Sequence, residues 1–147
     1  MKRIAVVVAV AGVCLTGCAS MDGGGGITTS DPCNAGACKV SVDVTSCVIT
    51  PVPDPLPVKG ENNIFWELNF GSLFSYRFVD DQSVALKTAS SEFDSPEVQA
   101  NGKKFKLHDK NSLAGENKYP YWIKVQRLTF QGWTDCPPLD PVIINGH

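Results

Sequence analysis

Ile64-Phe65-Trp66-Glu67-Leu68-Asn69-Phe70 is the stretch that decides the fold. Ile64, Trp66, Leu68 and Phe70 fall on one face, and Glu67 and Asn69 on the other. That period of two is what a strand with one buried face requires. The pattern recurs in both directions. Upstream, Lys39-Val40-Ser41-Val42-Asp43-Val44 alternates in the same way. Downstream, Phe74, Tyr76 and Phe78 alternate with Ser75 and Arg77, and Val84 and Leu86 form a shorter run. Phe105 and Leu107 alternate with lysines over Lys103 to His108, after the hairpin signal Asn101-Gly102. Tyr119 to Phe130 is the longest strand candidate, with Tyr121, Ile123 and Val125 on one face, and Val142-Ile143-Ile144 closes the series.

Turn chemistry separates these runs: Gly71-Ser72, Asp80-Asp81-Gln82, the polar loop from Asp109 to Lys118 with Gly115, and Gln131 to Pro138. Phe93 to Val98 contains Pro96 and reads ambiguously. Thr50 to Val58 carries prolines at 51, 53, 55 and 57. Prolines at alternate positions remove ladder donors on one side, so this segment is expected to be an extended edge or connector. No amphipathic period of 3.6 persists in the folded part. Seven or eight short strands at this spacing predict an all-β, antiparallel β-sandwich, immunoglobulin-like or cupredoxin-like in outline.

The start of the chain has a different character. Lys2-Arg3 precedes an apolar run from Ile4 to Val13, and Leu15-Thr16-Gly17-Cys18 follows. About ten apolar residues are too few for the ~20 that a membrane-spanning helix needs, and suit a secretory signal. The segment resembles a bacterial lipoprotein signal peptide with its lipobox. The resemblance implies that residues 1–17 are removed, that Cys18 becomes the first mature residue, and that its sulfur and amino group carry acyl chains. It also implies a cell-envelope address. With Ala19 rather than Asp after the cysteine, that address is an outer-membrane lipoprotein facing the periplasm. Several chains anchor where one binds only reversibly, since each buried CH2 contributes ~0.8 kcal/mol. Residues 18–32, with four consecutive glycines from Gly23 to Gly26, read as a flexible tether. Residues 33–147 read as one domain.

Two of the six cysteines, Cys14 and Cys18, are used or discarded at the signal. Cys33, Cys38, Cys47 and Cys136 remain, an even number in an oxidising compartment, which predicts two disulfides. Cys38 and Cys47 flank a strand that spans ~30 Å, far beyond the ~6 Å between bridged alpha carbons, so they do not pair with each other. The favoured pairing is Cys33–Cys38 with Cys47–Cys136. Cys33–Cys47 with Cys38–Cys136 is the alternative. The spacing is not that of a zinc site.

The chain carries 13 Lys+Arg against 15 Asp+Glu. Loss of Lys2 and Arg3 with the signal leaves eleven basic against fifteen acidic residues, a net charge of −4. No basic stripe survives, which argues against nucleic acid as a partner. The two histidines are His108 and His147. No histidine closely follows Cys136 and both methionines precede the domain, which argues against a blue-copper set. With His108 the one realistic base and no nucleophile elbow, a serine triad is not expected either. Asp80-Asp81 reads as a turn. Asp109-Lys110-Asn111 begins like a calcium loop but lacks the glycine at the sixth position and the glutamate at the twelfth, so it reads as solvated. No metal, cofactor or catalytic residue is therefore expected. The aromatics remain. Trp122 is expected to share an outward face with Lys124 and Gln126 when Ile123 and Val125 are buried, which makes Trp122 and Lys124 the candidate contact, unless a second packed layer or the proline segment covers Trp122. The edge from Val52 to Val58 is the other candidate. The mature part also resembles small exported β-sandwich proteins over about residues 38–145, in its strand pattern and its closing Asp140-Pro141-Val142-Ile143-Ile144-Asn145. The resulting expectation is a lipid-anchored, non-enzymatic module that docks on an envelope protein. An envelope enzyme acting on cell-wall sugar or peptide, with acids near Asp80, Asp81, Asp109 or His108, is one alternative. A peptidoglycan or small-ligand binder using Trp66 or Trp133 is the other.

Overall fold

The computed structural model describes residues 33–34 and 36–146. Cys18 and the proposed signal and tether lie outside these residues.

The chain is all-β. Its strands are β1 (Cys33–Asn34), β2 (Ala37–Thr45), β3 (Val48–Val52), β4 (Leu56–Lys59), β5 (Asn62–Leu68), β6 (Tyr76–Arg77), β7 (Val84–Leu86), β8 (Phe93–Gln99), β9 (Lys104–Asp109), β10 (Asn117–Ile123), β11 (Gln126–Thr129), β12 (Gly132–Asp135) and β13 (Val142–Gly146). The largest sheet has the order β1-β2-β5-β9-β8, with β3 also on β2; the second is β4-β13-β10-β7, and the third β12-β11-β6. The alternation predicted for β2 is reproduced residue by residue: Cys38, Val40, Val42 and Val44 are buried and their neighbours are not.

The sandwich differs from expectation in three respects. Its sheets are mixed, because β2 pairs with β5 and β4 with β13 in parallel. The proline segment produces this. β3 returns along β2 to Val52, the chain crosses residues 53–55 to the second sheet, and β4 pairs there with β13. Gly60, at φ +67°, then turns it back into the first sheet, so β5 enters running the way β2 runs. The segment is thus both edge and connector, a strand that changes sheets at a bend. Next, the strands number thirteen among the described residues, since long runs are cut where partners change. Tyr119 to Phe130 divides at Lys124-Val125: β10 lies between β7 and β13, whereas β11 lies between β6 and β12. Finally, Gln131 to Pro138 is not all loop, because β12 occupies part of it.

The sheets meet through Trp66. It is fully buried, its ring lies 5.5 Å from Tyr121 and 6.1 Å from Phe105, and its indole Nε1–H donates to the Tyr121 hydroxyl at 3.2 Å. Trp66 is therefore a core residue and not a sugar platform. Burial pushes the Tyr121 phenol well above its usual pKa. The disulfides are Cys33–Cys38 and Cys47–Cys136, the favoured pairing. The first staples β1 to the start of β2, and the second ties the β2–β3 turn to the chain beyond β12.

Asn101-Gly102 forms the β8–β9 connection as a short 3-10 turn, with Gly102 at φ +83°. A Cβ there would lie 2.6 Å from the Phe78 carbonyl oxygen. Gly102→Ala should therefore destabilise by more than ~1 kcal/mol, through both strain and clash. A chemical denaturation curve checks this, and an unchanged midpoint would refute it.

Candidate docking surface

β2 and β5 run in parallel and both begin beside Cys33, which pairs with Cys38; β5 ends at Leu68 opposite Val42, and β2 runs on to Thr45. Three segments converge on that far end, beside the β8–β9 connection, where the Lys103 carbonyl accepts the Leu68 N–H at 3.0 Å and the Lys103 Nζ donates to the Tyr76 carbonyl at 2.7 Å. One is the β2–β3 turn. Another is the loop after β5. The third is the β11–β12 hairpin. Its place follows from register: Arg127 pairs with Tyr76, and the Leu128 N–H donates to the Ser75 carbonyl at 2.7 Å. Phe74 and Phe130 therefore extend beyond the same end of the sheet.

What these segments expose is apolar. Phe130 is 97% exposed, Phe70 79% and Phe74 74%, with Val48 and Leu128 also out in solvent. The Phe70 and Phe74 rings meet edge to face at 5.9 Å. The stretches Thr45–Val48, Asn69–Ser75 and Leu128–Gln131 contain no charged residue. Exposed apolar side chains gathered on neighbouring loops mark an interaction surface more strongly than scattered single residues do.

The loop bearing two of these rings is held from below. Asn69 Oδ1 accepts the Ser72 N–H at 3.0 Å, which reverses the chain right after β5. The Ser72 hydroxyl, fully buried, accepts the Val44 N–H at 2.7 Å. The sequence pattern had placed Phe70 and Phe74 on buried strand faces; the structure corrects both. β5 stops at Leu68, and Phe74 precedes β6. The signal that marks this was Asn69-Phe70-Gly71-Ser72, an Asx turn followed by a small residue. Ser72→Ala leaves the buried Val44 N–H without an acceptor and should cost ~1–3 kcal/mol. Thermal melts would show this as a lower midpoint, and an unaltered melt would mean that the serine does not hold the loop.

The residues expected as contacts are arranged differently. Ile123 and Val125 are buried and Lys124 is exposed, as the alternation requires. Trp122, however, is half-buried beneath Lys87, whose Nζ lies 4.1 Å from the ring centroid and 2.6 Å from Asp140 Oδ2. Trp133 is similarly covered by the Arg77 guanidinium at 4.2 Å, itself held by Gln126 Oε1. Of the proline edge, Leu56 and Val58 are fully buried, while Val52 is 60% exposed.

Polar groups at the near end are engaged with one another. The His108 Nδ1 lies 3.0 Å from Asp94 and its Nε2 3.0 Å from Glu61. Hydrogen bonding and charge from Lys110, Ser95 and His108 hold the Asp94 carboxyl below its usual pKa. Glu92 is buried, and its carboxyl is lowered by the Ser112 hydroxyl and the backbone N–H groups of Ser112 and Leu113. Asp109 is fully buried, and burial pushes its carboxyl up to about 6 against the hydrogen bonds of Asn145 and Asn111. The loop expected to be solvated at Asp109-Lys110-Asn111 is thus interior at its first and third residues. Asp80 accepts the Gln82 N–H and closes a turn, as read. A shallow depression lies between Thr88–Ser90 and Leu113, Lys118 and Tyr119, and neither the candidate acids nor His108 line it. No family model matches this chain, and comparison with the curated proteins finds no match.

Proposed function

We propose that this chain is a lipid-anchored module of the bacterial cell envelope, an outer-membrane lipoprotein facing the periplasm. In this reading it works by recognition, not catalysis. Its apolar end docks into an uncharged, apolar pocket on another envelope protein. The lipid on Cys18 fixes it to the membrane, and residues 18–32 supply reach of up to ~50 Å. The two disulfides suit an oxidising compartment.

One observation carries the reading: three loops place Phe70, Phe74 and Phe130 in solvent at the end opposite the chain's entry at Cys33. A tether of that reach leaves the domain free to present these rings to a neighbouring envelope protein. The patch amounts to roughly 500 Å², taking ~150–250 Å² per aromatic ring. An area of that size suits an aromatic knob entering a partner's pocket, with the surrounding loops supplying the rest of a stable interface.

The test uses the full chain in intact cells. The wild type should shift to one heavier species after chemical crosslinking. The Phe70→Ser/Phe74→Ser/Phe130→Ser variant should keep its circular dichroism spectrum and stay monomeric. Equal crosslinking of both would remove the apolar end as the docking surface. Cys18→Ser should move the protein to the soluble fraction, and persistent membrane association would defeat the anchor.

A further inference from the structure

Four side chains at the near end of the sandwich share one feature. Asn62, Asp109, Asn111 and Asn145 are each at least nine-tenths buried, at 6%, 0%, 4% and 1% exposure. Each also holds an oxygen without a hydrogen-bond partner: Asn62 Oδ1, Asp109 Oδ2, Asn111 Oδ1 and Asn145 Oδ1. A single orphaned oxygen of this kind is costly; four in one network require an explanation.

They do form one network. Asn62 and Asp109 are paired across β5 and β9. Asp109 Oδ1 accepts the Asn145 side-chain N–H at 2.9 Å and the Asn111 backbone N–H at 3.0 Å. Asn62 and Asn111 both donate to the Gly60 carbonyl, at 3.2 and 3.3 Å. Asn111 also donates to Val58 and Gly146. The amide nitrogens are thereby fixed, since each faces carbonyl or carboxylate oxygen. The amide oxygens must turn the other way. What is left over is acceptor only, from four side chains, with no lysine, arginine or histidine bonded to them.

We infer that these four oxygens form a buried site for a hard cation of the calcium class. An ion that accepts no hydrogen bond and needs several oxygen ligands satisfies all four at once, whereas a proton satisfies two at most. The donor set is all oxygen, which excludes zinc and copper as preferred occupants. Amide oxygens on strand ends adapt to the long, variable distances of calcium better than to the tight octahedron of magnesium. One carboxylate among neutral donors places the affinity in the weak range, ~10⁻⁴ to 10⁻³ M. Among the described residues no group of three or more Asp, Glu, His or Cys offers a metal site, so the amides carry this one. The ion would join the ends of β5 and β9 in one sheet to β13 in the other. It does not depend on the lipid or on the docking surface.

The full chain, purified in detergent, is melted with a chelator and then with ~10 mM calcium. The midpoint should rise by about 4 °C with calcium and by less with magnesium. Asp109→Asn should abolish the rise, while Glu116→Gln, on the surface, should retain it. A second measurement covers the case in which Asp109→Asn does not fold. Tyr119 packs on Phe93 at 4.9 Å, and Phe93 pairs with Asp109 across the sheet. Terbium bound to the wild-type chain should therefore luminesce on tyrosine excitation and be displaced by calcium. No calcium-dependent rise, the same rise in Asp109→Asn, or terbium emission that calcium leaves unchanged would each overturn the site and leave buried water as the occupant.

Discussion

Replacing Cys47 and Cys136 together by serine is expected to remove about 4 kcal/mol of stability, the largest loss from any single crosslink. The bond spans 89 residues of sequence. In the chain-entropy account, a loop of that size constrains the unfolded chain by more than 4 kcal/mol, whereas the five-residue separation of Cys33–Cys38 gives about 2. A domain of this size has ~5–15 kcal/mol in total, so the double variant should sit near the edge of folding. Urea titration of both double-serine variants measures the difference, and equal losses would contradict it. The effect also reaches the apolar end. Cys47 lies in the turn that carries Val48, and its N–H donates to the Tyr76 hydroxyl at 3.3 Å. Without the bond, the three loops lose a shared fixed point.

Trp66→Ala should cost about 4 kcal/mol, within the range for deleting a large buried aromatic. The residue has no solvent exposure and edges against Phe105 and Tyr121. Its loss opens a void between the two sheets and leaves the Tyr121 hydroxyl without its donor. Trp66→Phe refills much of the volume but not the hydrogen bond, so it should cost less. Tyr121→Phe should reproduce the hydrogen-bond part alone, ~1–3 kcal/mol, because the indole N–H is then buried unpaired. Denaturant midpoints for the three variants should fall in that order. A Trp66→Ala loss below that of Tyr121→Phe would mean the indole is not the keystone of the packing.

Strand faces were legible where neighbouring residues alone set them. Val40, Val42 and Val44, Ile64, Trp66 and Leu68, and Phe105 and Leu107 are buried as their alternation required. Strand length excluded one of the three disulfide pairings, and the favoured one of the remaining two is the one formed. What could not be read were events set by distant residues. Phe70 continued the alternation of β5, but the Asx turn at Asn69 and the seat for Ser72 against Val44 end the strand first. The parallel pairing of β2 with β5 depends on where the chain crosses at residues 53–55, which no local pattern encodes. Asp109 and Asn111 sit in a polar run and read as solvated; Asn145, thirty-six residues beyond Asp109, helps to bury them. Trp122 was correctly assigned to the outer side, yet Lys87, from another strand end, covers it. For the same reason the apolar end escaped notice, because three separate segments build it.

In the proposed function, a protein pocket receives the apolar end. The most direct measurement replaces Phe130 with a photoreactive phenylalanine analogue in the full chain and irradiates intact cells. The prediction is a single adduct with one other envelope protein, lost when Phe70 and Phe74 are also changed to serine. Adducts with lipid, with a second copy of this chain, or with nothing at all would contradict it.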